Sequence, residues 1–344
     1  MAGTEGTSEA PADPPAKERV VTDYTPKYRF LLYEPMHEAG TRLLQQNGEV
    51  ITAPAPDEAT ILRMVKDVDA IVIRANGKVT RTIMEAAPRL KVIGRHGVGL
   101  ETIDVPAATE KGIWVVYTPE ANSESVAEHF VGLALMLSKR MLEADQALRA
   151  GQWNVRYEYI GRELFGKTLG VVGFGRIGRT TARICHYGFG MPVLYYDVVA
   201  PPSEVEAETK AKRVGLEELL RTADYVSLNL PLTAETRHIM GHERIRMMKP
   251  TAYLLNLGRG SLWDEKAVLE AVERQWIAGA GTDVFEEEPT AKDNPLFRHR
   301  RFVCTPHMAA HTDEAMRRMS LVAEDVVAVL EGREPRWLAN RPKR

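Results

Sequence analysis

Residues 168–178 read TLGVVGFGRIG, and no other stretch limits the chain's choice of fold so strongly. A short apolar run ends in Gly173, Gly175 and Gly178 and passes directly into a helix-forming segment. The first glycine permits a tight turn, the second lets the backbone approach a pyrophosphate, and the third allows the helix to pack closely on the strand. The helix N-terminus, with Arg176 and Ile177 in its first turn, then offers unpaired donors to an anion. The next apolar run ends at Asp197, 19 residues beyond Gly178, where a carboxylate would accept hydrogen bonds from the adenosine ribose hydroxyls. Strand, turn, helix, strand and acid together point to a dinucleotide-binding unit in a parallel α/β sheet. An acid at 197 repels a ribose 2′-phosphate, and residues 198–201 supply no arginine to hold one, so NAD is expected rather than NADP.

The rest of the chain repeats the alternation. At roughly 150 residues per domain, 344 residues make about two. Apolar runs at 29–33, 70–73, 90–93 and 114–116, with a helix from Met36, form a first series; runs at 168–172, 193–196, 225–228, 253–256, 278–282 and 302–305 form a second. This pattern predicts parallel sheets with helical crossovers. Between the series, residues 125–150 read as one long helix opened by a capping box of Ser125 and Glu128, with apolar positions too broad for a single stripe. A closing amphipathic helix is expected over 313–330. Residues 1–27, with four prolines and almost no large apolar side chains, read as a mobile tail. Lysine plus arginine is 45 against 47 acidic residues, so no surface built to blanket nucleic acid or an anionic membrane is expected. No apolar run is long enough to span a bilayer and no secretory signal opens the chain, which makes the cytoplasm the expected location. Cys185 and Cys304 form no CxxC pair and read as buried structural thiols, and the nine histidines show no metal-ligand spacing.

Three further segments carry chemistry: NLGRG at 256–260, DVFEEEP at 283–289 and TPH at 305–307. Each follows an apolar run and supplies one ionisable side chain, Arg259, Glu288 and His307, at the strand ends where open α/β sheets place ligands. With GRHGVGLETID at 94–104 and the glycine fingerprint, in that order and spacing, the chain from Tyr28 to about Asn340 resembles the D-isomer-specific 2-hydroxyacid dehydrogenases. The nearest resemblance is to phosphoglycerate dehydrogenases and hydroxypyruvate reductases without a C-terminal regulatory domain. The resemblance implies a Rossmann NAD-binding domain (123–310) inserted into a flavodoxin-like substrate domain (28–122 and 311–335), with the active site in the cleft and a homodimer built on the long helix. It also implies a catalytic trio. His307 has the pKa suited to exchanging a proton with the substrate oxygen, Glu288 would orient its imidazole, and Arg259 offers a planar fork to the substrate carboxylate. Asp283 joins the cofactor-binding set, and the backbone amides of Val98 and Gly99 are expected on the substrate carboxylate. Glutamate rather than glutamine at 288 disfavours the formate dehydrogenase branch.

Arg74 and Arg95 lie at strand ends of the first series, where phosphoglycerate dehydrogenases carry arginines for phosphate and carboxylate. Two arginines beside Arg259 suggest a substrate with a second anionic group, making 3-phosphoglycerate and 3-phosphohydroxypyruvate the favoured pair and hydroxypyruvate or glyoxylate the alternative. The competing reading has both paired with Glu101 or Asp104, or solvated. His129 is expected to be a packing histidine, and His96 is either a substrate contact or solvated. Trp263 and His311 depart from the family pattern with no assignable role. An NAD-sensing corepressor of the same superfamily is the alternative from another functional class.

Overall fold

Residues 28–117 supply five strands, β1 (Tyr28–Leu32), β2 (Gly48–Thr52), β3 (Ala70–Ile73), β4 (Val92–Arg95) and β5 (Trp114–Tyr117), all parallel in the order β2-β1-β3-β4-β5. Parallel neighbours cannot be joined by hairpins, so each connection carries a helix or a helical turn. The computed structural model describes residues 27–342, and the expected tail lies, Lys27 apart, outside the described residues. A second parallel sheet follows: β6 (Leu169–Val172), β7 (Val193–Tyr196), β8 (Ala211–Arg213), β9 (Tyr225–Leu228), β10 (Tyr253–Asn256), β11 (Gly279–Thr282) and β12 (Phe302–Cys304), ordered β12-β11-β10-β9-β6-β7-β8. The strand order reverses between β1 and β3 in the first sheet and between β6 and β9 in the second. Such switch points open crevices at the carboxyl ends of the strands. Glu34 and Arg74 stand at the first crevice, and the glycine turn stands at the second.

The chain then returns to its first sheet. Val322, Ala323, Val326, Val327 and Leu330, from helix Val322–Leu330, pack with Phe30, Leu32, Val72, Val92 and Val116. Each such fully buried aliphatic side chain is worth about 1.5–3 kcal/mol. The helix sits this close because β4 carries Gly94, where an added Cβ would meet Val326 Cγ2 at 2.6 Å. The following segment covers the exposed edge of β5: Ala339 N–H donates to Val115 O, and Val115 N–H donates to Asn340 Oδ1.

Several local expectations are corrected. The long helix over 125–150 is two helices, Ser123–Ser138 and Met141–Arg149, because Arg140 adopts the left-handed region at φ 57° and ends the first turn pattern. Ser138 O then accepts from Arg162 N–H as the chain doubles back past the break. Ser125 forms no capping box; it lies inside the helix and its hydroxyl donates to Ala309 O at 2.5 Å. The closing helix is likewise interrupted at Leu321, between Asp313–Ser320 and Val322–Leu330. β2 and β8 were absent from the sequence reading, and each is an edge strand. Cys185 is buried and Cys304 half-buried, and burial pushes both thiols up to about 12. No helix of the described residues is long and apolar enough to cross a membrane.

Candidate active site

The glycine turn is shaped by three different constraints. Gly173 has φ 94°, and a Cβ there would lie 2.8 Å from the backbone of Asn229. At Gly178 a Cβ would meet Gly173 O at 2.3 Å, so the helix could not approach the strand. Gly175 is different, because an added Cβ would find nothing within 4 Å. The protein itself therefore does not require a glycine there, whereas a pyrophosphate approaching the backbone does. Gly175 is also the N-cap of helix Arg176–Phe189, which has no side-chain cap, leaving the first-turn N–H groups of Arg176 and Ile177 for an anion. These features fit a dinucleotide.

Asp197 follows β7 and faces this turn. Its Oδ2 accepts from Phe174 N–H at 2.7 Å and its Oδ1 from Val199 N–H at 3.0 Å, which fixes the carboxylate while leaving acceptor capacity on both oxygens. Arg213, at the end of β8, donates to Asp197 O at 2.8 Å. Sequence reasoning missed this arginine because it searched only the residues next to Asp197 in the chain. Arg176 turns out of the cradle: its Nε donates to Glu120 Oε1 at 3.2 Å, and the guanidinium lies over Trp337.

His307, Glu288 and Arg259 lie close enough to act on one another's charge. His307 Nδ1 and Glu288 Oε2 are 2.6 Å apart, and Glu288 Oε1 accepts from Phe285 N–H at 2.9 Å. With a carboxylate as acceptor, Nδ1 carries the proton in this bond and Nε2 is left for chemistry. The hydrogen bond to Glu288 raises the imidazole pKa, against burial and the nearby charge of Arg259, which push it down. Burial pushes Glu288 up, but its hydrogen bonds to His307 and Phe285 hold it below its ordinary value. Both partners thus favour a charged pair. His307 itself adopts φ 49°, a strained region for a residue with a side chain.

Asp283 holds that strained turn. Its carboxylate is 1% exposed and accepts from Thr305 Oγ1 at 2.6 Å, Met308 N–H at 2.9 Å and Ala309 N–H at 2.8 Å, while its carbonyl accepts from His307 N–H at 2.7 Å. Three bonds hold the Asp283 carboxylate inside the loop, so it has a positioning role in addition to the cofactor contact expected of it, for which Oδ2 keeps an acceptor site. His129 adds Nε2 to Thr305 Oγ1 at 2.9 Å, a packing and hydrogen-bonding role as expected.

Arg259 lies in the turn after β10. Asn256, fully buried, pins that turn by donating to Arg259 O and accepting from Gly258 N–H. The guanidinium donates from Nη1 to Gly258 O at 2.7 Å and from Nε to Glu101 Oε1 at 2.9 Å. Glu101 belongs to the loop after β4, where the N–H groups of Val98 and Gly99 have no backbone partner among the described residues. They remain suited to an anion.

Arg95 does not present its fork to that space. Its Nε donates to Gly99 O at 2.6 Å and its Nη1 to His96 O at 2.8 Å, and burial lowers its pKa to about 10, so it stays charged at neutral pH. Arg74 donates from Nη1 to Pro35 O at 2.5 Å, with Nη2 against Met316 Sδ. Neither forms the ion pair with Glu101 or Asp104 that the competing reading offered. His96 is 4% exposed and burial lowers it to about 3, so it is a neutral packing residue rather than a solvated one. Trp263 is fully buried in the core of the second sheet, which explains its size without a substrate role, and His311 is exposed.

Known proteins resemble the chain over most of its length. Residues 131–309 match the family profile described as "D-isomer specific 2-hydroxyacid dehydrogenase, NAD binding domain". The chain is 43% identical over 315 residues to the D-3-phosphoglycerate dehydrogenase of Methanocaldococcus jannaschii, covering 91% of this chain and 60% of that longer protein. It is 40% identical over 312 residues to the glyoxylate reductase of Thermofilum pendens, covering 88% of this chain and 92% of that one. The structure of D-lactate dehydrogenase from Aquifex aeolicus, complexed with NAD and lactic acid, superimposes with a TM-score of 0.78 at 31% identity, covering 88% of this chain and 96% of that one. The chain belongs to the D-isomer-specific 2-hydroxyacid dehydrogenases, oxidoreductases that use NAD to act on the CH–OH group of a 2-hydroxy acid.

Proposed function

We propose that the protein reduces a small 2-keto monocarboxylate, glyoxylate or hydroxypyruvate, to the 2-hydroxy acid, glycolate or D-glycerate. The Gly173–Gly178 turn and Asp197 would hold the dinucleotide, which would supply the hydride for the carbonyl carbon. His307 Nε2 gives its proton to the carbonyl oxygen, and Glu288 keeps the imidazole charged and correctly turned beforehand. Arg259 and the N–H groups of Val98 and Gly99 hold the carboxylate, which fixes the carbonyl between donor and acid.

One observation carries the choice of a monoacid: Arg74 and Arg95 spend donors on the Pro35, Gly99 and His96 carbonyls, whereas Arg259 gives its Nε to Glu101, an exposed carboxylate that a substrate carboxylate can displace. The charges of Glu34 and Glu101 favour the charged form of Arg95 and those of Arg74 and Arg259 oppose it, so the cluster carries three positive and two negative charges. One further carboxylate neutralises it. The second reading, 3-phosphohydroxypyruvate, is supported by the same two arginines and by the 43% identical phosphoglycerate dehydrogenase. The deciding measurement is kcat/KM for hydroxypyruvate against its phosphorylated form with NADH. Equal or lower efficiency for the phosphorylated compound is expected, and a rise of tenfold or more would overturn the monoacid reading.

We also infer that two copies pair through residues 141–165, where Leu148, Trp153, Tyr157, Ile160 and Phe165 stand exposed along one stretch. Monomers seldom leave so much large apolar surface together.

A further inference from the structure

The loop that supplies the substrate-facing amides also brings a carboxylate to the substrate fork. Arg259 Nε and Glu101 Oε1 are 2.9 Å apart although 158 positions separate them in sequence. The two side chains share a floor at Gly99, where an added Cβ would lie 2.4 Å from both Arg259 Nη2 and Glu101 Oε2. A guanidinium offers a carboxylate two parallel donors along either its Nε/Nη2 edge or its Nη1/Nη2 edge. Gly258 O takes Nη1 on one edge and Glu101 takes Nε on the other. Burial pushes the Glu101 carboxyl up, but the hydrogen bond from Arg259 and the nearby charge of Arg95 leave it below its ordinary value, so it is ionised at working pH. Its side chain is 57% exposed, so it has solvent to turn into when another carboxylate takes Arg259.

Resting on the reading of Arg259 as the keto-acid fork, we propose that Glu101 is a specificity-determining residue: its carboxylate competes with the substrate carboxylate for Arg259 and selects against substrates that carry a second anionic group. The competition is local and reversible. A substrate carboxylate takes the Nε/Nη2 edge, Glu101 swings toward solvent, and its remaining negative charge penalises a dianion more than a monoanion. The fixed positive charges of Arg74 and Arg95 pull the other way, and Glu101 sets how much of their attraction reaches the ligand.

The test is Glu101→Gln in the full chain, compared with wild type and Glu101→Asp. Oxamate, an unreactive keto-acid isostere, is titrated into the enzyme–NADH complex by nucleotide fluorescence, and kcat/KM is measured for hydroxypyruvate and 3-phosphohydroxypyruvate. Glu101→Gln should bind oxamate about threefold to tenfold more tightly and raise the phosphorylated-to-unphosphorylated efficiency ratio at least threefold, through KM rather than kcat. Glu101→Asp keeps the charge and should keep the wild-type discrimination. Unchanged or weaker oxamate binding in a folded Glu101→Gln protein overturns the proposal, as does an unchanged substrate ratio. Arg259→Lys separates the two layers of argument. If it leaves oxamate affinity intact, the fork reading itself fails and the proposal with it; if it abolishes binding while Glu101→Gln changes nothing, only the role of Glu101 is lost.

Discussion

His307 is fixed from both sides, its ring by Glu288 and its backbone by Asp283, and these contacts divide the work between proton transfer and placement. His307→Gln keeps a hydrogen-bonding side chain that cannot exchange a proton near neutral pH, so turnover should fall roughly 10²- to 10⁴-fold with NADH binding nearly unchanged. Full activity in that variant would remove the assignment. Reduction needs protonated His307, and the hydrogen bond to Glu288 raises the pKa, so that state persists to higher pH. Glu288→Gln removes the raising contact and leaves burial and Arg259 pushing down. The basic limb of kcat/KM for keto-acid reduction should therefore move to lower pH, and a profile that stays in place would make Glu288 purely structural. Arg213 puts a positive charge against the backbone of Asp197, so repulsion of a 2′-phosphate would fall to the Asp197 carboxylate alone. Asp197→Ser should narrow a wild-type preference for NADH over NADPH that we expect to be at least tenfold, about 1.4 kcal/mol. Short contiguous motifs, each carrying one ionisable side chain, made these three residues readable from sequence. The Glu101–Arg259 and Arg213–Asp197 contacts were not readable, because they join strand ends whose proximity exists only once the sheets are assembled.

The glycine turn and its helix act as a unit, and two of its glycines should fail in different ways. Gly178→Ala forces a methyl to 2.3 Å from Gly173 O and should destabilise the fold by about 1–3 kcal/mol, seen as a lowered Tm. Gly175→Ala meets nothing within 4 Å and should leave Tm unchanged while weakening NADH binding about tenfold. A Gly175→Ala protein with native NADH affinity would show that the turn does not receive the pyrophosphate. The same contrast between internal and external demand explains which elements were legible. Central strands such as Val171–Val172 and Leu254–Leu255 are buried on both faces and read as apolar runs. β2 (GEVIT) and β8 (AKR) lie at sheet edges with exposed positions, so no apolar run announces them. The break at Arg140 was hidden for another reason: arginine and its neighbours are good helix formers, and the interruption is supported by the chain returning through Gly161 and Arg162, a tertiary contact that overrides local propensity.

Across the whole molecule, charged contacts join loops of the first sheet to turns of the second: Glu101 with Arg259 and Glu120 with Arg176, while Arg318 donates to the carbonyl of Ala121 beside them. Helix Ser123–Ser138 starts at this junction, packs beside helix Arg176–Phe189, and is tied by Ser125 to Ala309 in the loop of His307. The exposed stretch 141–165 continues from that helix, so an interface there would brace the catalytic loop as well as hide apolar surface. Trp153 is 64% exposed, Tyr157 68%, Ile160 83% and Phe165 73%. Large aromatic side chains bury up to about 150–250 Å² each, so two copies contributing these residues reach the order of 1,000 Å² that a specific interface needs. The protein should therefore sediment as a dimer of the 38.4 kDa chain at micromolar concentration. The double variant Trp153→Asp with Ile160→Asp places two charges in that surface and should sediment as a monomer with the same far-UV circular dichroism, because neither side chain belongs to the buried core. Its kcat should also drop, since the helix that carries Ser125 loses its brace. A wild-type chain that remains monomeric at tens of micromolar, or a double variant that still dimerises, would assign the exposed stretch to some other contact.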